Sequence, residues 1–296
     1  MKQFLRKIQN RLTVGAQRAT RRLAVLAKIL RLDLRNRSSR ASLLDPRGPV
    51  VSLTTYGHRA KGVYLVIESI GKGSCLPSRL ILWVDEPNLF HQPPATLRRL
   101  QARGLEILLC DNLGPHKKYY PFVETQDSFP LPLVTADDDI LYPQYWLEGL
   151  VKAIRDHPDS INCYRARVLS LRNQQIAPYR DWAWCTSTTP SPRNLANGCS
   201  GVIYPPKILY ALKKAGTSFF DCCPMADDLW LHVQEIRAGF KIRQITSTPL
   251  HFLMLPGTQT NALHRQNVEQ DGNDTQIHAS YTSADIALLA QSDPSA

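Results

Sequence analysis

The sequence predicts a doubly wound α/β fold, in which helices cover both faces of a mostly parallel β-sheet. From residue 49 to residue 158, apolar runs of strand length alternate with segments of helical periodicity. The apolar runs also lack the polar alternation that marks a sheet with one wet face. Strands that are buried on both faces and joined by helices are typical of parallel sheets in α/β domains.

Four apolar runs are predicted as the first strands: PVVSLTTYG from Pro49, SRLILWVDE over residues 78–86, LEILLCDN over residues 105–112 and PLPLVTADDD over residues 130–139. Each of them runs into glycine, amide or acidic residues, which stop a strand. Helices are predicted over residues 63–70, 93–104 and 145–158. The second of these helices has a proline start and a glycine stop.

The positive charge of the chain belongs to its N-terminal arm. The formal net charge is +11, and residues 1–50 carry thirteen Lys and Arg against two acids, Asp33 and Asp45. The remainder of the chain carries equal numbers of basic and acidic residues, so its formal net charge is zero. Because the basicity is confined to the arm, no nucleic-acid partner is expected for the body.

The arm, residues 1–48, is predicted to form a basic amphipathic helix with one weak point at Gly15. Such a helix suits an anionic membrane surface. A solvated or partner-binding extension and an Arg-rich transit peptide remain as alternatives. No run approaches the roughly 20 apolar residues of a spanning helix and no secretory signal is recognised, so the body is expected in the cytoplasm, peripheral at the inner face of the cytoplasmic membrane.

A single domain is predicted over residues 49–282, with halves at 49–143 and 144–282 and a tail over residues 283–296. Residues 38–48 are predicted as a hinge between the arm and this domain. The second half carries tryptophans beside glycine-rich turns, which suggests a binding wall. The chain has seven cysteines, an odd number that cannot all pair, and none of them has CxxC spacing. Both features argue for reduced thiols.

Polar side chains fall at the carboxyl ends of all four predicted strands, where ligands bind in open α/β sheets. They are Thr54, Thr55, Asp85, Asp111 and the run Asp137 to Asp139. Three adjacent carboxylates beside apolar residues repel one another, and a divalent cation such as Mg²⁺ or Mn²⁺ would offset that repulsion. A solvated acidic turn is the alternative for the triplet alone. The convergence of the strand ends favours the cation site.

Two basic segments suit a nucleotide, although neither a P-loop nor a GxGxxG motif is present. TTYGHRAKG over residues 54–62 offers hydroxyl groups, the Tyr56 ring and Arg59 at a strand end. GPHKKYYP over residues 114–121 places Lys117 and Lys118 where they could neutralise a diphosphate. A solvated turn is the alternative for this lysine pair.

Asp227 and Asp228 begin a predicted helix in MADDLWL, over residues 225–231. Carboxylates in the first turn are favoured by the helix dipole, so an ordinary cap is one interpretation. The other is a catalytic base, which must be ionised at neutral pH. The sequence leaves both open.

Several segments, in order, resemble bacterial GT-A glycosyltransferases of the cell-surface polysaccharide group near family two. They are SLTTYGHR, RLILWVDE, LRRLQARGLEI, HKKYYP, VTADDDILYPQYWLEGL, YRAR, NGCSGVIYPP, ADDLWL and GND, and the resemblance runs from about Pro49 to Ile277. The resemblance implies a Rossmann-like GT-A fold, a nucleoside diphosphate sugar as donor, Mn²⁺ or Mg²⁺ as cofactor and a glycan or lipid-linked acceptor. The ADD triplet departs from the ED that is more usual in the family, which leaves open whether Asp227 or Asp228 is the base.

The resemblance also assigns roles to individual residues. Asp137 and Asp139 match the DxD motif that contacts the donor ribose and ligates the metal, with Asp138 between them. Asp228 matches the base of inverting members, with Asp227 positioning the acceptor. The expected donor contacts are Thr54, Tyr56, Arg59, Asp85, Lys117 and Lys118, and the expected acceptor contacts are Trp182, Trp184, Asn197 and Gly198.

The leading hypothesis is therefore a metal-dependent glycosyltransferase. One alternative is a nucleotidyltransferase or another enzyme of metal-dependent phosphoryl transfer, which would use the same acidic triplet. Another is a non-enzymatic membrane or nucleic-acid adaptor that binds through the basic arm.

Overall fold

A central seven-stranded sheet organises the chain, whose computed structural model describes residues 23–258 and 271–292. The four predicted strands form its first half as β1 (Val50–Thr54), β2 (Arg79–Val84), β3 (Leu105–Leu109) and β4 (Leu133–Ala136). They lie in the order β3-β2-β1-β4, and every neighbouring pair is parallel. All four carboxyl ends therefore meet at one edge of the sheet.

The second half of the sheet is mixed. It contains β6 (Ser160–Cys163), β12 (Val202–Tyr204) and β13 (Lys241–Gln244). β12 lies between β4 and β6 and is antiparallel to both, while β13 is parallel to β6. The sheet is thus mostly parallel, with one reversed strand that joins its two halves.

Within the described residues, seven shorter strands form three small sheets. They are β5 (Ile140–Leu141), β7 (Ala166–Val168), β8 (Leu171–Arg172), β9 (Gln175–Ile176), β10 (Ala183–Trp184), β11 (Asn194–Ala196) and β14 (Leu253–Met254). β7 pairs with both β10 and β11, β5 pairs with β14, and β8 pairs with β9. The sheet built on β7 supplies one wall of the candidate site described below.

The helices of the described residues are α1 (residues 23–38), α2 (Val63–Ile70), α3 (Pro87–His91), α4 (Ala95–Gln101), α5 (Tyr120–Thr125), α6 (Trp146–Asp156), α7 (Pro206–Ala215), α8 (Phe219–Cys222), α9 (Asp227–Arg237), α10 (Gly272–Ser280) and α11 (Ser283–Gln291). Short 3-10 helices cover Gly57–Lys61, Gly114–Lys118, Tyr179–Asp181 and Gly198–Ser200. None of the described helices is long and apolar enough to cross a membrane.

Apolar side chains are buried on both faces of the sheet. Leu53 and Leu82 belong to the cluster on one face, and Ile81 and Trp83 belong to the cluster on the other. This division follows from the period of two in a strand, which sends successive side chains to opposite faces. It explains why the strands read as continuous apolar runs in the sequence.

The described part of the N-terminal arm packs on the body through a buried carboxylate. Glu68 of α2 is fully buried and accepts hydrogen bonds from Arg35 Nε at 3.1 Å, from Asn36 Nδ2 at 3.1 Å and from Arg103. The segment that was predicted as a hinge is also anchored, because Leu43 is buried and its N–H donates to Arg103 O at 2.9 Å. The helix expected around Gly15 lies outside the described residues.

The segment predicted as a tail begins with a capped helix. Thr282 and Asp285 form a capping box at the start of α11. Asp285 also pairs with Arg237 Nη2 at 2.7 Å, and Leu289 is fully buried. α11 is thereby held against α9, which carries the two aspartates of the candidate site.

Candidate active site

A cavity of about 740 Å³ opens at the carboxyl ends of β1, β2 and β4. Most of the site residues predicted from the sequence line it: Thr54, Tyr56, Arg59, Asp85, Lys117, Lys118, Asp137, Asp138, Asp139, Trp184, Asn197, Asp227 and Asp228. The parallel strands account for this gathering, because each brings its terminal polar residues to the same edge. The volume lies within the range usual for small-molecule sites.

Arg59 connects two of the three adjacent aspartates. Its Nη1 donates to Asp138 Oδ1 at 2.7 Å, and its Nη2 donates to Asp139. Thr55 Oγ1 also donates to Asp138, at 2.7 Å. Burial raises the pKa of Asp138 to about 6, although Arg59 and Thr55 oppose that rise. Asp138 therefore points into the protein and fixes Arg59, so the triplet is not a solvated turn.

Lys118 links the triplet to the start of α9. Its Nζ lies 3.0 Å from Asp137 Oδ1 and 3.0 Å from Asp227 Oδ2. Burial would lower the pKa of Lys118, but the negative charges of Asp137, Asp227 and Asp228 raise it well above its ordinary value. A fixed cation thus stands between the acidic triplet and the candidate base.

Lys117 pairs with Asp85 at the end of β2. The Nζ to Oδ2 distance is 2.7 Å, and the same ammonium lies 5.9 Å from the centroid of the Tyr56 ring. Lys117 and Lys118 are both buried, so neither belongs to a solvated turn. The Gly114–Lys118 3-10 helix turns both side chains toward the strand ends.

Asp228 receives two hydrogen bonds from one backbone amide. The N–H of Gly198 donates to its Oδ1 at 3.1 Å and to its Oδ2 at 3.2 Å. Burial, followed by the charge of Asp227, raises the pKa of Asp228 to about 7, while Lys118 and the Gly198 amide oppose the rise. A carboxyl with a pKa near neutrality can accept and release a proton at physiological pH.

Gly198 leaves no room for a side chain beside these charges. A Cβ atom at this position would lie 2.8 Å from Asp228 Oδ1 and 3.3 Å from Lys118 Nζ. Gly201, three residues later, has φ of 93° and faces the indole of Trp146. Gly198 touches the site through its backbone, but unlike Trp184 and Asn197 it does not line the cavity.

The two predicted acceptor tryptophans have different environments. Trp184 is 37% exposed and lines the cavity. Trp182 is buried, its Nε1 donates to Ala177 O at 2.8 Å, and it packs on Tyr179. The structure therefore does not bring Trp182 to the cavity, because it closes the Tyr179–Asp181 turn and its side chain enters the core.

Two arginines that the sequence analysis did not single out hold Trp184. Arg165 and Arg167 each place Cζ 4.1 Å from the centroid of its ring, and both line the cavity. Arg167 is the cross-strand partner of Trp184 in the β7–β10 pair. The YRAR segment could have predicted this arrangement, because its two arginines are two positions apart and such residues lie on the same face of a strand.

Further residues that were not predicted as site residues also line the cavity, among them Asn112, Tyr179, Cys199, His251, Met254 and Asn273. They reach the cavity from loops, from two 3-10 helices, from β14 and from α10. Apart from Asn112, which follows β3, no strand-end pattern identifies them. Asn197, which was predicted, keeps its buried Oδ1 without a hydrogen-bond partner among the described residues. An unpaired acceptor at the wall suits a ligand hydroxyl or amine.

The carboxylates Asp137 and Asp139 fit a divalent cation that shares its coordination with a phosphate. Burial and the charge of Asp137 raise the pKa of Asp139, so the two groups lie close enough to repel. No group of three His, Cys, Asp or Glu side chains in the described residues could hold a metal by itself. Mg²⁺-type ions in phosphate-binding sites commonly use one or two carboxylates and take their other ligands from phosphate and water.

Comparison with known proteins gives a structural likeness without a sequence relative. No family model matches the chain, and no curated protein sequence matches it. The mannosyltransferase PcManGT from Pyrobaculum calidifontis, solved with GDP-Man and Mn²⁺, aligns over 94% of this chain and 79% of its own, with a TM-score of 0.52 and 15% identity. The chain shares this fold.

The predicted α/β class, Rossmann-like with a mostly parallel sheet and helices, is thereby confirmed. Two further solved structures align less well. CMP:2-keto-3-deoxy-manno-octonic acid synthetase with CTP has a TM-score of 0.43 at 14% identity, over 77% of this chain and 99% of its own. 4-Diphosphocytidyl-2C-methyl-D-erythritolsynthase from Anaerococcus prevotii DSM 20548 has a TM-score of 0.43 at 13% identity, over 67% of this chain and 88% of its own. Similarity at that level carries no conclusion about this chain.

Proposed function

We propose that the chain is a glycosyltransferase that moves a sugar from a nucleoside diphosphate donor to a hydroxyl group of a glycan or lipid-linked acceptor. One observation carries the proposal. A single cavity contains an acidic pair suited to a cation and a diphosphate, Asp228 with a pKa near 7, and Lys118, whose Nζ lies 3.0 Å from Asp137 Oδ1 and 3.0 Å from Asp227 Oδ2. Donor and acceptor chemistry would thus meet around one fixed ammonium group.

The donor side is formed by the ends of β1, β2 and β4. The ring of Tyr56 and the Thr54 hydroxyl offer surfaces for the base and the ribose, and both line the cavity. Asp137 and Asp139 would hold a Mn²⁺ or Mg²⁺ ion, whose chemistry is to neutralise charge on the diphosphate. Lys118 places a second positive charge at the same position without needing to move.

The acceptor side is formed by the β7 sheet and by α9. The Trp184 ring is 37% exposed, and together with the guanidinium groups of Arg165 and Arg167 that contact it, it offers aromatic and hydrogen-bonding surface for a sugar. Asn197 adds an unpaired carbonyl oxygen. Asp228 then accepts the proton of the acceptor hydroxyl as the hydroxyl oxygen attacks the anomeric carbon. The bond from that carbon to the β-phosphate oxygen breaks, the diphosphate keeps the electron pair, and the anomeric configuration inverts.

The wider setting follows the resemblance of the sequence to enzymes of surface polysaccharide synthesis. In this proposal the enzyme works at the inner face of the cytoplasmic membrane, where a lipid-linked acceptor is available. The N-terminal arm provides the contact with that surface through its basic residues.

A panel of nucleoside diphosphate sugars, incubated with the full chain, Mn²⁺ and lipid-linked glycan acceptors, tests the proposal. We expect release of a nucleoside diphosphate together with a glycosylated product. Asp228→Asn should lower the rate by about a hundredfold to ten-thousandfold, because it removes the proton acceptor. Asp156→Asn, at an exposed position on α6, is the matched control and should leave the rate unchanged.

The same assay separates the alternatives. A nucleotidyltransferase would release pyrophosphate from a nucleoside triphosphate and a sugar phosphate, and it would release no nucleoside diphosphate from sugar nucleotides. An adaptor would turn over neither substrate. Either outcome would overturn the proposal.

A further inference from the structure

A second cavity lies between α1 and the body. It measures about 680 Å³ and is lined by residues of α1 and its C-terminal end, of α2 and the loop after it, and of the loop before α6. Four of its lining side chains are cationic, Lys28, Arg31, Arg35 and Lys72, and none is acidic. We call it the basic groove. It shares no lining residue with the cavity at the strand ends.

The positive charge of the basic groove is only partly neutralised. Arg35 pairs with Glu68 at 3.1 Å. Lys28, Arg31 and Lys72 form no salt bridge within residues 23–258 and 271–292. Lys28 is half-buried and donates to Leu141 O at 3.2 Å, and burial together with the charge of Lys72 lowers its pKa. Cations that crowd one another in this way favour an anionic ligand.

A row of exposed leucines runs along α1 beside the basic groove. Leu23, Leu26, Leu30 and Leu34 are 66%, 59%, 59% and 54% exposed. Their spacing of three and four residues places them on one side of the helix, away from the buried Leu32. We call them the leucine row. Four large apolar side chains on one helix face form a patch of the kind that marks a contact with a partner or a membrane.

Arg31 connects the basic groove with the leucine row. At about 100° per residue, Arg31 lies about 60° from Lys28 on one side and about 60° from Leu34 on the other. The groove therefore opens next to the edge of the apolar face. A helix with apolar side chains on one face and cations at its border has the arrangement of an interfacial membrane helix.

We propose that the basic groove binds the phosphate headgroup of an anionic membrane lipid while the leucine row enters the lipid interface. A soluble phosphate would use the groove but would leave the leucine row unexplained. A protein partner would need acidic groups beside an apolar surface, whereas an anionic bilayer presents both along its whole face. The sequence before α1 fits the same partner, because residues 1–22 contain Lys and Arg but no acidic residue.

Vesicle co-sedimentation of the full chain tests this site. Vesicles of phosphatidylcholine alone are compared with vesicles that also contain phosphatidylglycerol. The variant with Arg31→Glu and Lys72→Glu changes two exposed residues of the groove. Its partition onto the anionic vesicles should fall on the order of tenfold or more. The Lys72 substitution distinguishes binding at the groove from general binding by the basic arm, because Lys72 lies on the body.

Two controls make the result specific. Lys207→Glu with Lys214→Glu, at exposed positions on α7, changes the net charge equally and should retain most of the binding. Leu26→Gln with Leu30→Gln should weaken binding to both kinds of vesicle. The proposal is overturned if the groove variant and the α7 variant bind anionic vesicles equally. It is also overturned if the protein binds inorganic phosphate but not vesicles, or if the leucine variant instead converts a dimer into a monomer.

Discussion

At the scale of single residues, the site depends on close contacts among charged groups. Gly198 is the position where this closeness is most easily disturbed, because its amide donates to Asp228 and its Cα faces Lys118. A substitution there changes the distance between a candidate base and a cation without changing either residue. The site can therefore be tested without removing a charge.

Gly198→Ala is expected to lower kcat by about tenfold to a hundredfold, because a Cβ atom 2.8 Å from Asp228 Oδ1 displaces the carboxylate. The melting temperature should change little, since Gly198 does not have a positive φ. Gly62→Ala is the control, because its Cβ would meet its nearest neighbour at an ordinary 3.6 Å. Equal rates for the two variants would show that Asp228 need not hold its position.

The pH profile of kcat/KM reports on the same carboxylate. Asp228 accepts a proton only when it is ionised, and burial raises its pKa to about 7, so activity should rise with pH through about 7. Asp227→Asn removes the neighbouring negative charge that raises the pKa of Asp228 and leaves Lys118 with one carboxylate fewer to neutralise, so the pKa of Asp228 should fall. The rising limb should then move to lower pH. A limb that stays in place or moves to higher pH would exclude Asp228 as the titrating group.

At the scale of elements, the sequence predicts the first half of the sheet better than the second. β1, β2, β3 and β4 are apolar on both faces and end in polar residues, so each is visible alone. β12 has three residues, and its antiparallel place between β4 and β6 arises from pairing between distant segments. No local pattern encodes that pairing.

The same limit applies to the site. The acidic triplet and the lysine pair were predicted because strand ends converge in this class of fold. Trp182 and Trp184 are two positions apart, as are residues that share one face of a strand. Only Trp184 belongs to a strand, however, because Trp182 directly follows a 3-10 turn. Which tryptophan reaches the cavity is decided by that turn, so their sequence spacing alone could not tell them apart.

The buried carboxylate of Glu68 holds α1 on the body through Arg35 and also pairs with Arg103. Glu68→Gln should lower the free energy of unfolding by about 3 kcal/mol, because the buried guanidinium of Arg103 loses its counter-charge. Arg37→Gln breaks the exposed pair with Asp33 and should cost less than about 1 kcal/mol. Urea denaturation of both variants measures the difference. Equal losses would mean that Glu68 does not anchor α1.

At the scale of the whole molecule, buried carboxyls near the site make stability depend on pH. Burial, and then the charge of Asp228, raises the pKa of Glu235 to about 8, and its Oε2 has no hydrogen-bond partner in the described parts of the chain. A carboxyl with a raised folded-state pKa adds stability that is complete below its unfolded pKa and is lost as the pH rises through about 8. Burying Glu235 close to the candidate site therefore lowers the free energy of unfolding at neutral and higher pH.

Glu235→Gln should reduce this dependence. Between about pH 5 and about pH 8 the wild type should lose stability relative to the variant, by at most about 1.4 kcal/mol per pH unit. Thermal unfolding over this range measures the change, with Asp156→Asn as a control that should follow the wild type. Parallel curves for the wild type and Glu235→Gln would mean that Glu235 does not titrate in this window.

The central claim is that Asp137 and Asp139 hold a cation and a diphosphate at the carboxyl edge of the sheet. Calorimetric titration of UDP and of GDP, with Mn²⁺ and with a chelator, tests it most directly. We predict that at least one diphosphate binds only with Mn²⁺, and that Asp139→Asn abolishes this binding while Asp156→Asn retains it. Binding that is equally tight with the chelator, or that survives Asp139→Asn, would contradict the claim.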